Sequence, residues 1–333
     1  MMYYVPKNIG SLVSIFTISI IIAFMTIIIE FSVPTKTFGQ SLDIQQQQKD
    51  SNNKVVILTF GNAPKSQYTY AKPILDKYGF KASFFVVCDW IDSDKDNSHM
   101  TWQDIETLYN EGHDIQAKSL NHEDLTKLSI SDLDFEVGES KRCLADHNIN
   151  SRVFGTPYGK GWDNSTVINT IAKYYDFAIT GFSNLMYLNC DGWNEQNEKE
   201  EEYEYKSNVQ TDCRTYFDDG TLTYANRYSI REWSHDSADK KYFDNDQKTF
   251  EEFVKVVNSQ DNFNNNENGI IKAIPIIAYH DLDYGERISG STDVNLFDAE
   301  MKYLYDNAFT VITMADLGYD ENTNQLYIKQ IGQ

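Results

Sequence analysis

The sequence predicts an α/β fold, a mostly parallel sheet wrapped by helices. Short, nearly continuous apolar runs recur along the chain, as strands buried on both faces require. Stretches of helical period lie between them, giving the rhythm of repeated strand–helix units. The 333 residues, 41% apolar and 14% aromatic, are enough for one large core. This rhythm alone leaves open whether the sheet is open or closed into a barrel.

The expected strands are Val55–Phe60, Ser83–Val87, Asp114–Ala117, Arg152–Phe154, Phe177–Thr180, Ala273–Tyr279 and Thr310–Thr313. Helices are expected at Tyr70–Tyr78, Trp102–Glu111, Ser131–Asp146, Ser165–Tyr174, Phe250–Asn258 and Phe297–Asp306. Thr101, Ser129 and Ser131 precede helical stretches that carry acids in their first turn, the chemistry of an N-cap. From about Asn189 to Asp246 the rhythm breaks into a segment rich in Glu, Asn, Tyr and Asp, read here as an acidic insertion at one end of the sheet.

Ahead of the first strand, Leu12–Ile29 is uncharged and apolar on every face, preceded by Lys7 and followed by Glu30. About 18 such residues can just span a bilayer, while a signal peptide's apolar core is usually about 7–15. Residues 1–39 are therefore read as an export signal or an N-terminal membrane anchor, and 40–53, with its QQQQ tract, as a linker. The domain is expected over 54–320 and a tail over 321–333. An extracellular or cell-surface location follows from this reading. With a formal net charge of −21, binding to phosphate backbones is disfavoured and no nucleic-acid partner is expected; a membrane partner follows only if the N-terminal segment stays uncleaved.

Four cysteines, Cys88, Cys143, Cys190 and Cys213, allow three pairings outside the cytosol. Cys190 with Cys213 is preferred, because that pair would close the acidic loop NEQNEKEEEYEY. No CxxC spacing is present. The single N-glycosylation sequon is at Asn164.

The segments that carry chemistry follow in order. KVVILTFGNAPKSQYTYAKPILDKYGFKASFFVV opens the domain; EGHDIQAKSLNHEDLTKLS, FGTPYGKG, IIAYHDL and LFDAEMKYLYDNAFTVITMADL come after it. Together they resemble the polysaccharide deacetylases (NodB-homology domain, carbohydrate esterase family 4). There the first strand ends in TFDDGP, and HSxxH, RxPYG and a strand ending in histidine follow. The resemblance runs from Lys54 to Leu317, broken by the insertion. It implies an irregular (β/α) barrel of the glycoside hydrolase/deacetylase type. It also implies hydrolysis of N-acetyl or O-acetyl groups on glycans, with a divalent metal held by an aspartate and two histidines, an aspartate base and a histidine acid.

Carried over residue by residue, the family's base aspartate falls on Gly61, its metal aspartate on Asn62, the first metal histidine on Lys118 and the arginine of RxPYG on Gly155. The second metal histidine is kept as His122 and the leaving-group histidine as His280. A protonated lysine has no lone pair for a metal, and three protein ligands are usual at catalytic zinc. The simplest reading makes Lys118 replace the metal's charge, with Asn62 and His122 as neighbours. Catalytic candidates are therefore His280 and Lys118; metal candidates are His122 and Asn62; sugar-stacking candidates are Tyr158, Tyr279 and Trp193, with Trp162 and Tyr284 near them.

His235 and Asp191 would rebuild a different metal site with His122 or His280, whereas His99, His113 and His147 read as structural or solvated. No cofactor is expected from the residues present, and the resemblance keeps zinc or another divalent metal open. The partner is a glycan or cell-envelope polysaccharide. Two functions remain: the family's hydrolysis of non-peptide C–N bonds or acetyl esters at a rearranged centre, and a catalytically silent carbohydrate-binding or structural surface protein.

Overall fold

The computed structural model describes residues 54–92, 98–161, 163–188, 226–236, 245–263, 271–284 and 290–329. Eight strands run parallel around one axis: β1 (Val55–Gly61), β2 (Ser83–Val86), β3 (Asp114–Ala117), β4 (Val153–Gly155), β5 (Phe177–Phe182), β6 (Ile230–Ser234), β7 (Ile276–Tyr279) and β8 (Thr310–Ile312). Strands β1 to β7 pair in sequence order, and β7 returns to pair with β1, closing the ring. The eighth strand pairs with the start of β1 at Val55–Ile57. A closed sheet has no unpaired edge to protect. This is the irregular (β/α) barrel that the resemblance implies.

Alternation along each strand divides the core in two. Val56, Leu58 and Phe60 of β1 face outward and pack with the helices, while Val55 and Ile57 face inward with Phe85, Val153, Ile179, Ile230 and Ile276. The inward positions turn polar or small toward the strand ends, where Thr59 and Gly61 continue the same face. The helices are α1 (Lys72–Tyr78), α2 (Trp102–Asn110), α3 (Ile130–Asp146), α4 (Ser165–Ile171), α5 (Asp246–Asn258) and α6 (Val294–Asp306). Thr101 and Asp104 form a capping box at α2, and Ser129, not Ser131, caps α3 by accepting from the Asp132 N–H.

Two boundary expectations are corrected. The acidic insertion does not extend unbroken to Asp246, because β6, within its last third, completes the ring between β5 and β7. Nor is 321–333 wholly a tail: Gln325–Ile328 pairs antiparallel with Leu317–Asp320, and Leu326 is buried with the interior cluster. The apolar run of residues 12–29 and the linker lie outside the described residues. Among the described residues no helix is long and apolar enough to cross a membrane.

Cys88, just after β2, is bonded to Cys143 on α3. The preferred Cys190–Cys213 pair lies outside the described residues. The Cys88–Cys143 bond closes a loop of 55 residues, for which loss of the cross-link costs about 2–4 kcal/mol. Cys88→Ser with Cys143→Ser is therefore expected to lower the unfolding free energy by about that amount in denaturant titration; an unchanged midpoint would mean that packing alone holds α3 against β2.

Candidate functional site

At the C-terminal ends of the strands the barrel opens into a cavity of about 190 Å³. Asn62, Lys118, His122, Tyr158 and His280, far apart in sequence, all line it, together with Thr59, Phe85, Thr156, Phe182 and Glu232. Strand parity explains the convergence: Lys118 follows β3 two residues after the inward Gln116, and His280 follows β7 two residues after the inward Ala278. The same parity corrects Tyr279. Its side chain points outward and is fully buried against Phe60 and Phe297, with its hydroxyl donating to Glu300 Oε2 at 2.9 Å, so it cannot stack on a sugar. Trp193, Trp162 and Asp191 lie outside the described residues. Tyr284 is exposed and packs edge-on against Tyr70 rather than lining the cavity.

Lys118 is the chemical centre of the cavity. It is only 8% exposed and, among the described residues, its ammonium makes no hydrogen bond or ion pair. Burial pulls its pKa below the usual lysine value, and the nearby carboxylates of Glu232 and Asp236 pull it back up. A Cβ built on Gly61 would stand 2.9 Å from Lys118 Nζ, 2.9 Å from His280 Cδ2 and 3.1 Å from His280 Nε2. The ammonium and the imidazole therefore converge on the space that a side chain at position 61 would need. A larger residue there would require the lysine's end and the imidazole to shift.

A matching exchange occurs at Gly155, where an added Cβ would meet Phe85 Cδ1 at 2.9 Å. The phenyl ring, not a long side chain at 155, fills that part of the wall.

His280 is held by Asp236, a residue the sequence reading passed over. Asp236 Oδ2 accepts the His280 backbone N–H at 2.5 Å, and Oδ1 accepts from Nδ1 at 2.8 Å. Since an ionised carboxylate only accepts, Nδ1 carries the proton and Nε2 is left facing the cavity. Gln67 Nε2 reinforces the junction by donating to both Gly61 O and His280 O at 2.7 Å. Glu232, also missed, accepts the Thr59 hydroxyl at 2.9 Å. Only the position of both acids at or just beyond the end of β6 marks them in sequence, and that strand went unread.

His122 has a φ of +67° and its N–H donates to Ser119 Oγ at 2.9 Å. Its ring lies between Trp90 and Tyr158, with centroids 5.1 and 4.7 Å away. Nε2 is buried without a partner, as is Asn62 Oδ1. Asn62, Ser119 and Tyr158 share the left-handed backbone region with His122, a concentration of strain that belongs to functional sites more than to scaffolding.

A divalent metal does not fit this set. Its donors would be two ring nitrogens and one amide oxygen, with an ammonium among them. Among the described residues no group of three or more His, Cys, Asp or Glu side chains is placed to hold an ion. Nor does His235 rebuild the site: it is 1% exposed, bonded to Thr292 Oγ1 at 3.1 Å and Glu300 Oε1 at 2.6 Å, behind the cavity wall.

Burial, followed by the charge of Lys118, lowers the His122 pKa to about 4; burial, followed by the charge of Lys81, does the same to His113, also to about 4. Both histidines titrate near 6.5 when unfolded. Their neutral forms favour the folded state above pH 6.5, and that contribution is lost as pH falls toward 4. Imidazole proton shifts followed by NMR are expected to give midpoints near 4 for both; a His122 midpoint above 6 would contradict the desolvated site.

Zinc uptake tests the fit of the ligand set. Gly61→Asp alone collides with Lys118 and should bind none, whereas Gly61→Asp, Asn62→Asp and Lys118→His together supply three ligands with His122 and leave one carboxylate over. About one zinc per chain in elemental analysis is expected only for the combined variant. Uptake by the parent would show that Lys118 yields to a metal.

Comparison with known proteins finds one family. The family model "Polysaccharide deacetylase" matches residues 48–178, which include Gly61, Asn62, Lys118, His122 and Gly155. The protein YxkH of Bacillus subtilis (strain 168), named for the same family, is 26% identical over 135 residues. That match covers 40% of this chain and 47% of the relative, so less than half of the relative's length is spanned. Among solved structures, a family 4 carbohydrate esterase from Streptomyces lividans is similar with a TM-score of 0.46 and 12% identity, over 84% of this chain and 99% of that one. A family 4 pseudoenzyme from Bacillus anthracis is similar with a TM-score of 0.45 and 14% identity, over 80% and 65%. Over residues 48–178 the chain thus matches the polysaccharide deacetylase family, the one that its ordered motifs resemble.

Proposed function

We propose that the domain recognises polysaccharide at the barrel mouth and does so without metal-dependent deacylation. One observation carries this reading: the Lys118 ammonium occupies the space beside Gly61, with Nζ 2.9 Å from where a side chain at 61 would begin, so a cation stands where the family places its base carboxylate. The cavity keeps what glycan recognition needs, a cation, buried unpaired polar atoms at Asn62 and His122, and the exposed rings of Tyr158 and Phe182 at its rim. Export to the cell surface is part of the proposal, supported by the Cys88–Cys143 disulfide, since such bonds persist in oxidising compartments.

A second reading, hydrolysis without a metal, is favoured by the Asp236–His280 pair. In it His280 Nε2 takes a proton from a water whose oxygen attacks the acetyl carbon, and the Lys118 ammonium stabilises the oxyanion. The C–N or C–O bond then breaks, and the leaving amine or alcohol receives the proton.

Acetate release from N-acetylated oligosaccharides, with zinc and with chelator, separates the readings. Binding without acetate release is expected, and Tyr158→Ala should weaken binding about 3- to 10-fold. Release that needs zinc would overturn the proposal. Release that survives chelator and disappears in His280→Ala would establish the second reading instead.

A further inference from the structure

The polar groups left unpaired in the cavity are not a random set. Lys118, nine-tenths buried, offers ammonium protons with no acceptor among the described residues. Asn62 Oδ1 is a buried acceptor with no donor, and His122 Nε2, an acceptor or a donor according to its tautomer, is buried with no partner. Unmade hydrogen bonds of buried groups are costly, and more so for a charge, which marks what a ligand brings to such a site. The complement of an ammonium flanked by neutral polar atoms is an anionic acceptor flanked by hydroxyls.

We propose, building on the glycan reading above, that the cavity selects a sugar bearing a carboxylate, a hexuronate, whose carboxylate meets Lys118 and whose hydroxyls serve Asn62 and His122. A neutral acetamido group would satisfy Lys118 through its carbonyl but would leave the ammonium with no counter-charge in direct contact, only the more distant Glu232 and Asp236. Size agrees with one sugar unit: about 190 Å³ is smaller than the roughly 300–1,000 Å³ of pockets that enclose drug-sized molecules, so the rest of the chain must run over the rim. The acids bounding the cavity do not remove the need for an anion. Asp236 is committed to His280, and Glu232 accepts from Thr59 without coming within ion-pair distance of Lys118. Glu232 instead sets the orientation, since a ligand carboxylate is repelled from its side of the cavity and drawn to the Lys118 side. Nor does overall charge recruit anions, because the chain carries a formal −21. Selectivity must be local to Lys118.

The test is titration calorimetry of the full chain with methyl β-D-glucuronoside and methyl β-D-glucoside, which differ in the carboxylate. The glucuronoside is expected to bind about 10- to 100-fold more tightly, the span of a charge-assisted hydrogen bond in a desolvated site. Lys118→Met should abolish that ratio, Lys118→Arg should keep much of it, and Tyr158→Ala should weaken both ligands and leave the ratio unchanged. Far-ultraviolet circular dichroism checks that each variant is folded. Equal binding of the two sugars, or a preference that persists in folded Lys118→Met, would overturn the carboxylate assignment. If an N-acetylated oligosaccharide binds while the glucuronoside shows no preference, the glycan reading stands and this inference fails. If no sugar binds, both fail.

Discussion

Closure of the sheet at β1 is the constraint from which the site follows. β1 pairs with β2 on one side and β7 on the other, which brings Gly61 beside both Phe85 and the residue after Tyr279. Without that closure His280 would sit on an open sheet edge, and no cavity would form around Lys118. Gln67 strengthens the junction where the two strand ends diverge, bonding to the carbonyls of both Gly61 and His280. The polar mouth is thus supported by a seam whose own backbone groups are satisfied.

The interior of the barrel grades from apolar to polar along its axis, and chemistry is confined to the last two inward positions of each strand or just beyond them. Thr59 and Gly61 on β1, Lys118 after β3, Gly155 on β4, Glu232 on β6 and His280 after β7 are all such positions. Burial by the layers beneath them raises the stakes of each charge, since an ammonium in low dielectric is expensive unless neighbouring dipoles or counter-charges support it. Glu232 and Asp236 supply that support at a distance, leaving the ammonium's own hydrogen-bonding capacity unused.

The fold and the site differed in how legible they were. Strands such as Val55–Phe60 and Ser83–Val87 stood out because both faces are buried and their sequences are correspondingly apolar. Strand β6 did not, because IREWS places Glu232 in the cavity mouth and sits in acidic surroundings that resemble a surface loop. Missing that strand meant missing Glu232 and Asp236. His280 was found through its place at a strand end, but the function given to Tyr279 ignored that adjacent residues on a strand face opposite ways. The Cys88–Cys143 bond could not be ranked above its alternatives from spacing, since it depends on α3 packing beside the end of β2.

The exchanges at 61 with 118, and at 155 with 85, also bear on how the sequence can change. At each pair, the smaller residue makes room for the larger one, so the effect of a substitution depends on its partner. A carboxylate introduced at 61 meets an ammonium already in its space, and a long side chain introduced at 155 meets a phenyl ring. At 61 the lysine's end must shift to admit a side chain, and at 155 the Phe85 ring must, so the cost of a change at either position depends on its partner. The response to a substitution at the barrel mouth is therefore set by pairs of residues rather than by single positions, whatever ligand the cavity holds.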